Sequence, residues 1–335
     1  MNSSYINKIK TSFPIEDRYR MYGMYASSDI TFENVNIERV KKIKIYYPNE
    51  MVLFPGKKYP LVLMVNGTGV EYNKYEATFK HLSSWGFIVA GNDDPSTCQG
   101  DSVVNTLNYM LYLNNSNYSL FYNKIDINRI GLSGHSQGGC GVFNSITKHG
   151  ELSKYFKCAF ASSATTKSLI ESWKLEPFKY EPELVNIPIM IVQSNGKTDK
   201  AICPFEETKA NYDKIRNVKK VVGVRKNADH GEMLLYHDPY MTAWFCYILL
   251  NDDIAAKAFV GKEAEFLRNC ILNKEIDYVL RKAVFDILYE LRKIGTNINQ
   301  IAHIANSTNQ IMENKYETNY KELMKIIEEL REKLR

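Results

Sequence analysis

The chain has 335 residues, 44% of them apolar and 12% aromatic, and a formal net charge of +5. That is enough apolar material for one large core and it excludes a disordered chain; the mild charge, with no long block of like charges, supplies neither a nucleic-acid arm nor a polybasic membrane patch. Residues 1–20 hold no apolar segment of signal-peptide type, and the longest apolar run, residues 240–250, falls well short of the roughly 18 that span a membrane, so a cytoplasmic, soluble protein without a membrane partner is expected.

Residues 1–34 read as an N-terminal extension. Over residues 35–273 short β-rich runs alternate with helical patterns, the signature of an α/β protein with a mostly parallel sheet flanked by helices. The run at 42–47 alternates as an edge strand does. Those at 61–65, 87–90, 129–132, 159–161, 187–192 and 221–224 are short and apolar, as parallel strands buried on both faces are. Residues 75–85 and 102–113 carry the helical period, and about six to eight strands account for the whole pattern. The six cysteines, Cys98, Cys140, Cys158, Cys203, Cys246 and Cys270, show no CxxC or CxxH spacing, so they read as small buried thiols; no metal and no cofactor is expected.

The character changes near Asn269. From Ile276 to Arg335 there is one glycine, Gly295, and no proline. Ile287, Leu291, Ile294, Ile298, Ile301, Ala305, Thr308 and Met312 step by fours and threes, as the seam of a coiled coil does, and the pattern resumes at Leu323, Ile327, Leu330 and Leu334. A helical hairpin or coiled-coil appendage is expected over residues 276–335, with a second copy of the chain as the partner for its seam.

The chemistry is concentrated in Gly134-His-Ser-Gln-Gly138, which follows an apolar strand and precedes a run able to begin a helix. The spacing is that of a nucleophile elbow: the two glycines permit a turn so tight that Ser136 is lifted clear of the sheet. A lone G-x-S-x-G arises readily by chance; its setting gives it weight. A serine hydroxyl needs a base and an orienting acid, which in this arrangement follow in the order Ser, Asp/Glu, His. The strand at 187–192 runs into a turn holding Asp199, and that at 221–224 into Asn227-Ala-Asp-His-Gly231, placing His230 at the same edge of the sheet. An aspartate in a turn is ordinarily a cap and a loop histidine ordinarily a surface residue. Delivery of three required residue types by three strand ends in the required order outweighs those readings. Asp229 is the rival acid, but it adjoins His230 and is expected to point away from it; His135, inside the elbow, is expected to pack. For the oxyanion, the Gln137 amide follows the nucleophile and the Thr68 amide lies in Asn66-Gly-Thr-Gly69 after an early strand, a stretch that could otherwise be a plain turn.

Residues 62–273 resemble the cutinase and dienelactone-hydrolase-like branch of the α/β hydrolases, which includes polyester hydrolases and chlorophyllase-like enzymes. The likeness rests on Leu63-Met-Val-Asn-Gly-Thr-Gly69, Leu82-Ser-Ser-Trp-Gly-Phe-Ile-Val-Ala90, Asn92-Asp-Asp-Pro-Ser-Thr97, Gly134-His-Ser-Gln-Gly-Gly139, the stretch around Asp199, and Asp229-His-Gly231. It implies ester hydrolysis through an acyl-enzyme, with Gly67, Gly69, Val70, Pro95, Ser96, Thr97 and Ser162 lining the cleft. Secreted polyester hydrolases carry a tryptophan after the strand preceding the acid-bearing one; here stands Ser162-Ser-Ala-Thr165, which shifts the expected substrate from polymer to a small or medium soluble ester. A catalytically silent binding protein on the same scaffold is the alternative class. Leu291-Arg-Lys-Ile-Gly-Thr-Asn-Ile-Asn-Gln-Ile-Ala-His-Ile-Ala-Asn306 resembles a segment of bacterial plasmid-mobilisation accessory proteins, so a hydrolase fused to such a segment is a further alternative. Ten Lys/Arg against nine Asp/Glu over residues 276–335 give no cationic surplus, and nucleic acid is not the expected partner, though the likeness keeps it open.

Overall fold

A computed structural model of the chain describes residues 8–260; the appendage expected over residues 276–335 lies outside them. Eight strands form one sheet in the order β1-β2-β4-β3-β5-β6-β7-β8. They are β1 (Ser27–Ile37), β2 (Val40–Pro48), β3 (Tyr59–Val65), β4 (Ile88–Asn92), β5 (Ile125–His135), β6 (Phe156–Ser162), β7 (Ile189–Ser194) and β8 (Lys220–Arg225). The β1–β2 and β2–β4 pairings are antiparallel and all the others parallel. This is the α/β-hydrolase arrangement.

The apolar runs fold as strands because both of their faces are covered. Leu61, Leu63 and Val65 of β3, Ala90 of β4 and Ala159 and Ala161 of β6 enter one core layer, while Val62, Met64, Val89, Cys158 and Phe160 enter the other. Among helices of seven residues or more are α1 (Pro14–Arg20), α2 (Glu76–Ser84), α3 (Asp101–Asn115), α4 (Gln137–Thr147), α5 (Phe205–Lys214) and α6 (Asp238–Leu250). The first layer takes Leu107 and Met110 of α3 and Phe143 and Ile146 of α4; the second takes Phe79 and Leu82 of α2 and Trp244 and Phe245 of α6.

Two readings change at the amino end. β1 crosses the expected boundary between residues 34 and 35, and α1 ahead of it is built into the core: Tyr19 is fully buried, lies against Trp85 and donates to Asp252 Oδ2 at 2.7 Å. The polar face of β1 hid its strand character, since only half-buried and exposed positions occur along it. Accordingly β2, whose alternation suggested an edge, is paired on both sides, and β1 forms the rim. The five cysteines among the described residues are buried free thiols. No helix among the described residues is long and apolar enough to cross a membrane.

Two histidines sit in the core near the carboxyl ends of β5 and β6. His237 is 4% exposed, edge-on to Phe160, with Nδ1 2.8 Å from Ser162 Oγ; His135 is 6% exposed. Burial pushes His135 down to about 3, with the nearby His230 adding to it, and burial pushes His237 well below the ordinary histidine range. Buried His81 behaves oppositely: desolvation works against its charge, but Asp238 at 2.9 Å outweighs it and the shift is upward. An unfolded histidine protonates near about pH 6.5, so the unfolded chain binds more protons than the folded one as pH falls below that value. The stability held by neutral His135 and His237 is therefore complete above about pH 6.5 and is lost as pH falls, by at most about 1.4 kcal/mol per pH unit for each. His81, shifted upward, contributes in the opposite sense, with stability that is fully present well below about pH 6.5 and lost as pH rises, so it opposes the fall only near the upper end of this range. The melting temperature, followed by circular dichroism, is expected to fall steadily from about pH 6.5 to 4.5; a level value across the interval would mean that these imidazoles accept protons without unfolding.

Candidate active site

β5, β7 and β8 run parallel, so the turns that follow them emerge at one edge of the sheet, carrying Ser136, Asp199 and His230. Ser136 stands between β5 and α4 at φ 61°, ψ −125°, a conformation that costs a non-glycine residue on the order of 1–3 kcal/mol. Its amide donates to Ser162 O at 2.9 Å and its carbonyl accepts from Gly139 N at 2.8 Å. The flanking glycines are required by close approach: a Cβ on Gly134 would lie 2.2 Å from Gly138 O, and one on Gly138 would lie 2.3 Å from Val65 O. Between residues 130 and 146 only Ser136 is not buried. The turn thus presents one hydroxyl from an otherwise closed segment.

Asp199 is fully buried and its two carboxylate oxygens have separate tasks. Oδ1 accepts from His230 Nδ1 at 2.6 Å, while Oδ2 accepts from Ser194 N at 2.6 Å, Ser194 Oγ at 2.7 Å and Ser163 Oγ at 2.7 Å. Burial alone would raise its pKa; the hydrogen bonds from His230, Ser194 and Ser163 overcome that and hold the carboxyl well below the usual range. With Nδ1 donating to Asp199, His230 Nε2 carries the lone pair. The imidazole is 16% exposed. His135, beside Ser136, packs as expected: its ring lies 4.4 Å from that of His230, and its Nε2 is 2.8 Å from His230 O. Ser136 Oγ forms no hydrogen bond with His230 here; such contacts are commonly long without substrate.

The Thr68 and Gln137 amides, the expected oxyanion donors, have no acceptor among the described residues. Gln137 opens α4, where a backbone N–H lacks an intrahelical partner. Asn66 to Thr68 extends β3 beside the elbow, since Val65 pairs with Gly134. Both loops are fastened to Pro95, whose carbonyl accepts from Gly69 N at 3.0 Å and from Gln137 Nε2 at 3.1 Å. The Gly67 amide donates to Tyr75 Oη at 2.6 Å, which commits it to the fold.

The residues expected to line the cleft divide. Thr68, Gly69, Pro95 and Ser96 are exposed and Val70 is half-buried. Gly67, Thr97 and Ser162 are buried instead: Thr97 Oγ donates to Asn66 O at 2.7 Å and Ser162 Oγ meets His237, so these residues support the loops from below and do not form their walls. Asp229 points away from the imidazole, as expected, and bonds to backbone. Sequence reasoning missed Ser163 and Ser194; hydroxyls next to the ends of β6 and β7 were visible, their direction was not. A cavity of about 680 Å³ runs along β8, lined by residues such as Met190, Val192, Val222 and Tyr236, and includes none of Ser136, Asp199 and His230. Among the described residues no cluster of three or more His, Cys, Asp or Glu is placed to hold a metal ion.

No curated protein matches the chain. Residues 262–305 match the family model described as Mobilization protein NikA, and residues 288–335 that described as Bacterial mobilisation protein (MobC). Residues 33–263, well over half of the chain, match the model described as PET hydrolase-like, and with this sheet order and elbow the chain belongs to the PET hydrolase-like family.

Proposed function

We propose that this ester hydrolase works through an acyl-enzyme, with Ser136 as nucleophile, His230 as general base and Asp199 as the acid that fixes the imidazole. The observation that carries the reading is the 2.6 Å bond from His230 Nδ1 to a buried, ionised Asp199, at the sheet edge where a strained, accessible serine emerges. Nε2 takes the hydroxyl proton as Oγ attacks the ester carbonyl, the Thr68 and Gln137 amides receive the oxyanion, and the imidazolium returns its proton to the departing alcohol. Water, activated by the same base, then releases the acid. The segment after β6 is buried and bears small hydroxyl and methyl groups where an aromatic polymer unit would need a ring to stack on. A small or medium soluble ester is the substrate that fits.

The C-terminal matches favour a second, additional role. Residues 262–335 act as a mobilisation-type module that brings the hydrolase to a nucleic-acid or relaxase assembly, while the aliphatic seam from Ile287 to Met312 offers pairing with a second copy.

Three outcomes are expected. Ser136→Ala abolishes turnover of a short p-nitrophenyl ester, by at least about a thousandfold, with the circular dichroism spectrum unchanged, and a fluorophosphonate probe labels Ser136 in the parent chain; substantial residual turnover, or no labelling, would point to a different nucleophile or a silent scaffold. Asp199→Asn lowers kcat by roughly 10³–10⁴-fold, the cost of the wrong imidazole tautomer; a small effect would remove Asp199 from the triad. The full-length chain retards duplex DNA at low salt and loses it at high salt, whereas a chain ending at Asn273 does not bind but keeps its esterase rate. Dimers without DNA binding would assign the tail to self-association alone.

A further inference from the structure

Asp229 makes more hydrogen bonds than its position as a cap requires. It opens the turn His230–Glu232, where its side chain accepts from His230 N at 2.8 Å and forms a capping box with Glu232. The same Oδ1 also accepts from Thr198 N at 2.9 Å and Asp199 N at 3.3 Å, and Oδ2 accepts from Thr198 Oγ at 2.8 Å. These donors belong to the other turn, the short helix Lys197–Ile202 that carries the acid. One carboxylate therefore holds the first-turn amides of the Asp199 helix and the amide of His230 together. Its own backbone is fixed in return, because Asp229 N donates to Glu232 Oε2 at 2.8 Å.

The opposing turn is shaped to receive it. A Cβ on Gly196 would lie 2.4 Å from Asp229 Oδ1, 2.6 Å from Ala228 O and 2.6 Å from Asp229 Cα, so this approach is open to glycine alone. Asn195 adds a flanking tie, its Oδ1 accepting from Asn227 N at 3.1 Å. Bonds from the Thr198 side chain and then from the His230 amide keep the Asp229 carboxyl below its ordinary range, so it is an acceptor at both oxygens.

We propose that Asp229 is a positioning residue that clamps the acid-bearing turn to the base-bearing turn and thereby sets the Asp199–His230 hydrogen bond. It rests on the triad assigned above. Asp229 touches neither substrate nor imidazole nitrogen; it acts on where Asp199 Oδ1 and His230 Nδ1 stand relative to each other, a distance on which the tautomer and the orientation of Nε2 depend.

The test compares Asp229→Ala with Asp229→Asn in the full chain, reading kcat and KM on a p-nitrophenyl ester and the far-downfield NMR signal of the His230 Nδ1 proton. An asparagine oxygen can still accept from all three amides, and an alanine cannot. The expected result for Asp229→Ala is a kcat lower by about 10- to 100-fold, KM within about threefold, and a shifted or broadened Nδ1 signal; Asp229→Asn restores kcat to within about threefold of the parent and restores the signal. Should Asp229→Ala fail to fold, Gly196→Ala strains the same clamp from the other turn and is expected to lower kcat with the same change in the signal. Equal losses in both Asp229 variants, or an unmoved Nδ1 signal in a folded variant with lowered kcat, would overturn the proposal. Failure of the triad itself is separable: the downfield signal would then persist in Asp199→Ala, whatever stands at 229.

Discussion

A serine backbone held at φ 61° is an unfavourable local state, and the site depends on what makes that state the best one available. The chain reaches it because β3 and β5 are adjacent and parallel, so that Val65 and Asn66 press on the turn at the point where Gly134 and Gly138 have no side chains. Any relaxation of Ser136 toward an ordinary conformation would break its amide bond to Ser162 O and move Gly138 off the end of β3. The strain is offset by sheet pairing and packing well away from the hydroxyl, which leaves the hydroxyl free for chemistry. Placement of the Gln137 amide follows from the same turn, since the residue after a sharp strand-to-helix reversal becomes the unpaired first N–H of the helix.

The second constraint is electrostatic. A carboxylate with no exposed surface is costly unless its charge is met by donors, and Asp199 is met on both oxygens. Ser163, itself in left-handed backbone at φ 45°, and Ser194 occupy Oδ2 completely, so Oδ1 is directed at His230. The imidazole is then held from three sides: by Asp199 at Nδ1, by His135 against its ring and carbonyl, and by Asp229 at its amide. His135 serves this packing as a neutral group, because burial keeps a positive charge from forming beside the imidazole proposed as the base.

Much of this was legible in the sequence for a simple reason. Parallel strands covered on both faces must be apolar at successive positions, so β3 to β7 stand out as runs, and parallel order places every following turn at one edge. The placement of Ser136, Asp199 and His230 at one edge of the sheet could be read from that rule together with the glycine-flanked serine motif. β1 could not, because its apolar positions, Ile30 and Phe32 and then Val35 and Ile37, are only half-buried and fall out of register at the irregularity between Glu33 and Ile37, and its loss made β2 look like an edge. The roles of Thr97 and Ser162 were hidden for another reason. Whether a hydroxyl at a strand end faces solvent or core depends on the backbone beyond it, here on the bond from Thr97 to Asn66 O and, for Ser162, on a buried His237 75 residues downstream. Clamps such as Asp229 are hidden too: an aspartate before a histidine reads as a cap, and the second turn it holds is brought to it only by the adjacency of β7 and β8.

Burial separates two functions around the cleft. The groups assigned to bond making are fixed from beneath by side chains with no access to substrate: Asn66 bonded to the Asn92 and Asp94 carbonyls, Thr97 bonded to Asn66, and Tyr75 receiving Gly67. The residues left at the surface, Thr68, Gly69, Pro95 and Ser96, belong to two loops joined by the bond from Gly69 N to Pro95 O, and the side chains of Thr68, Pro95 and Ser96 are exposed beside the proposed site. On the proposed chemistry, side-chain replacement at Ser96 leaves the Thr68 and Gln137 amides untouched, whereas replacement at Asn66 removes the bonds that tie the two loops together. Under the proposed mechanism, substrate preference can therefore change at the exposed positions while the geometry anchored at the buried ones stays in place.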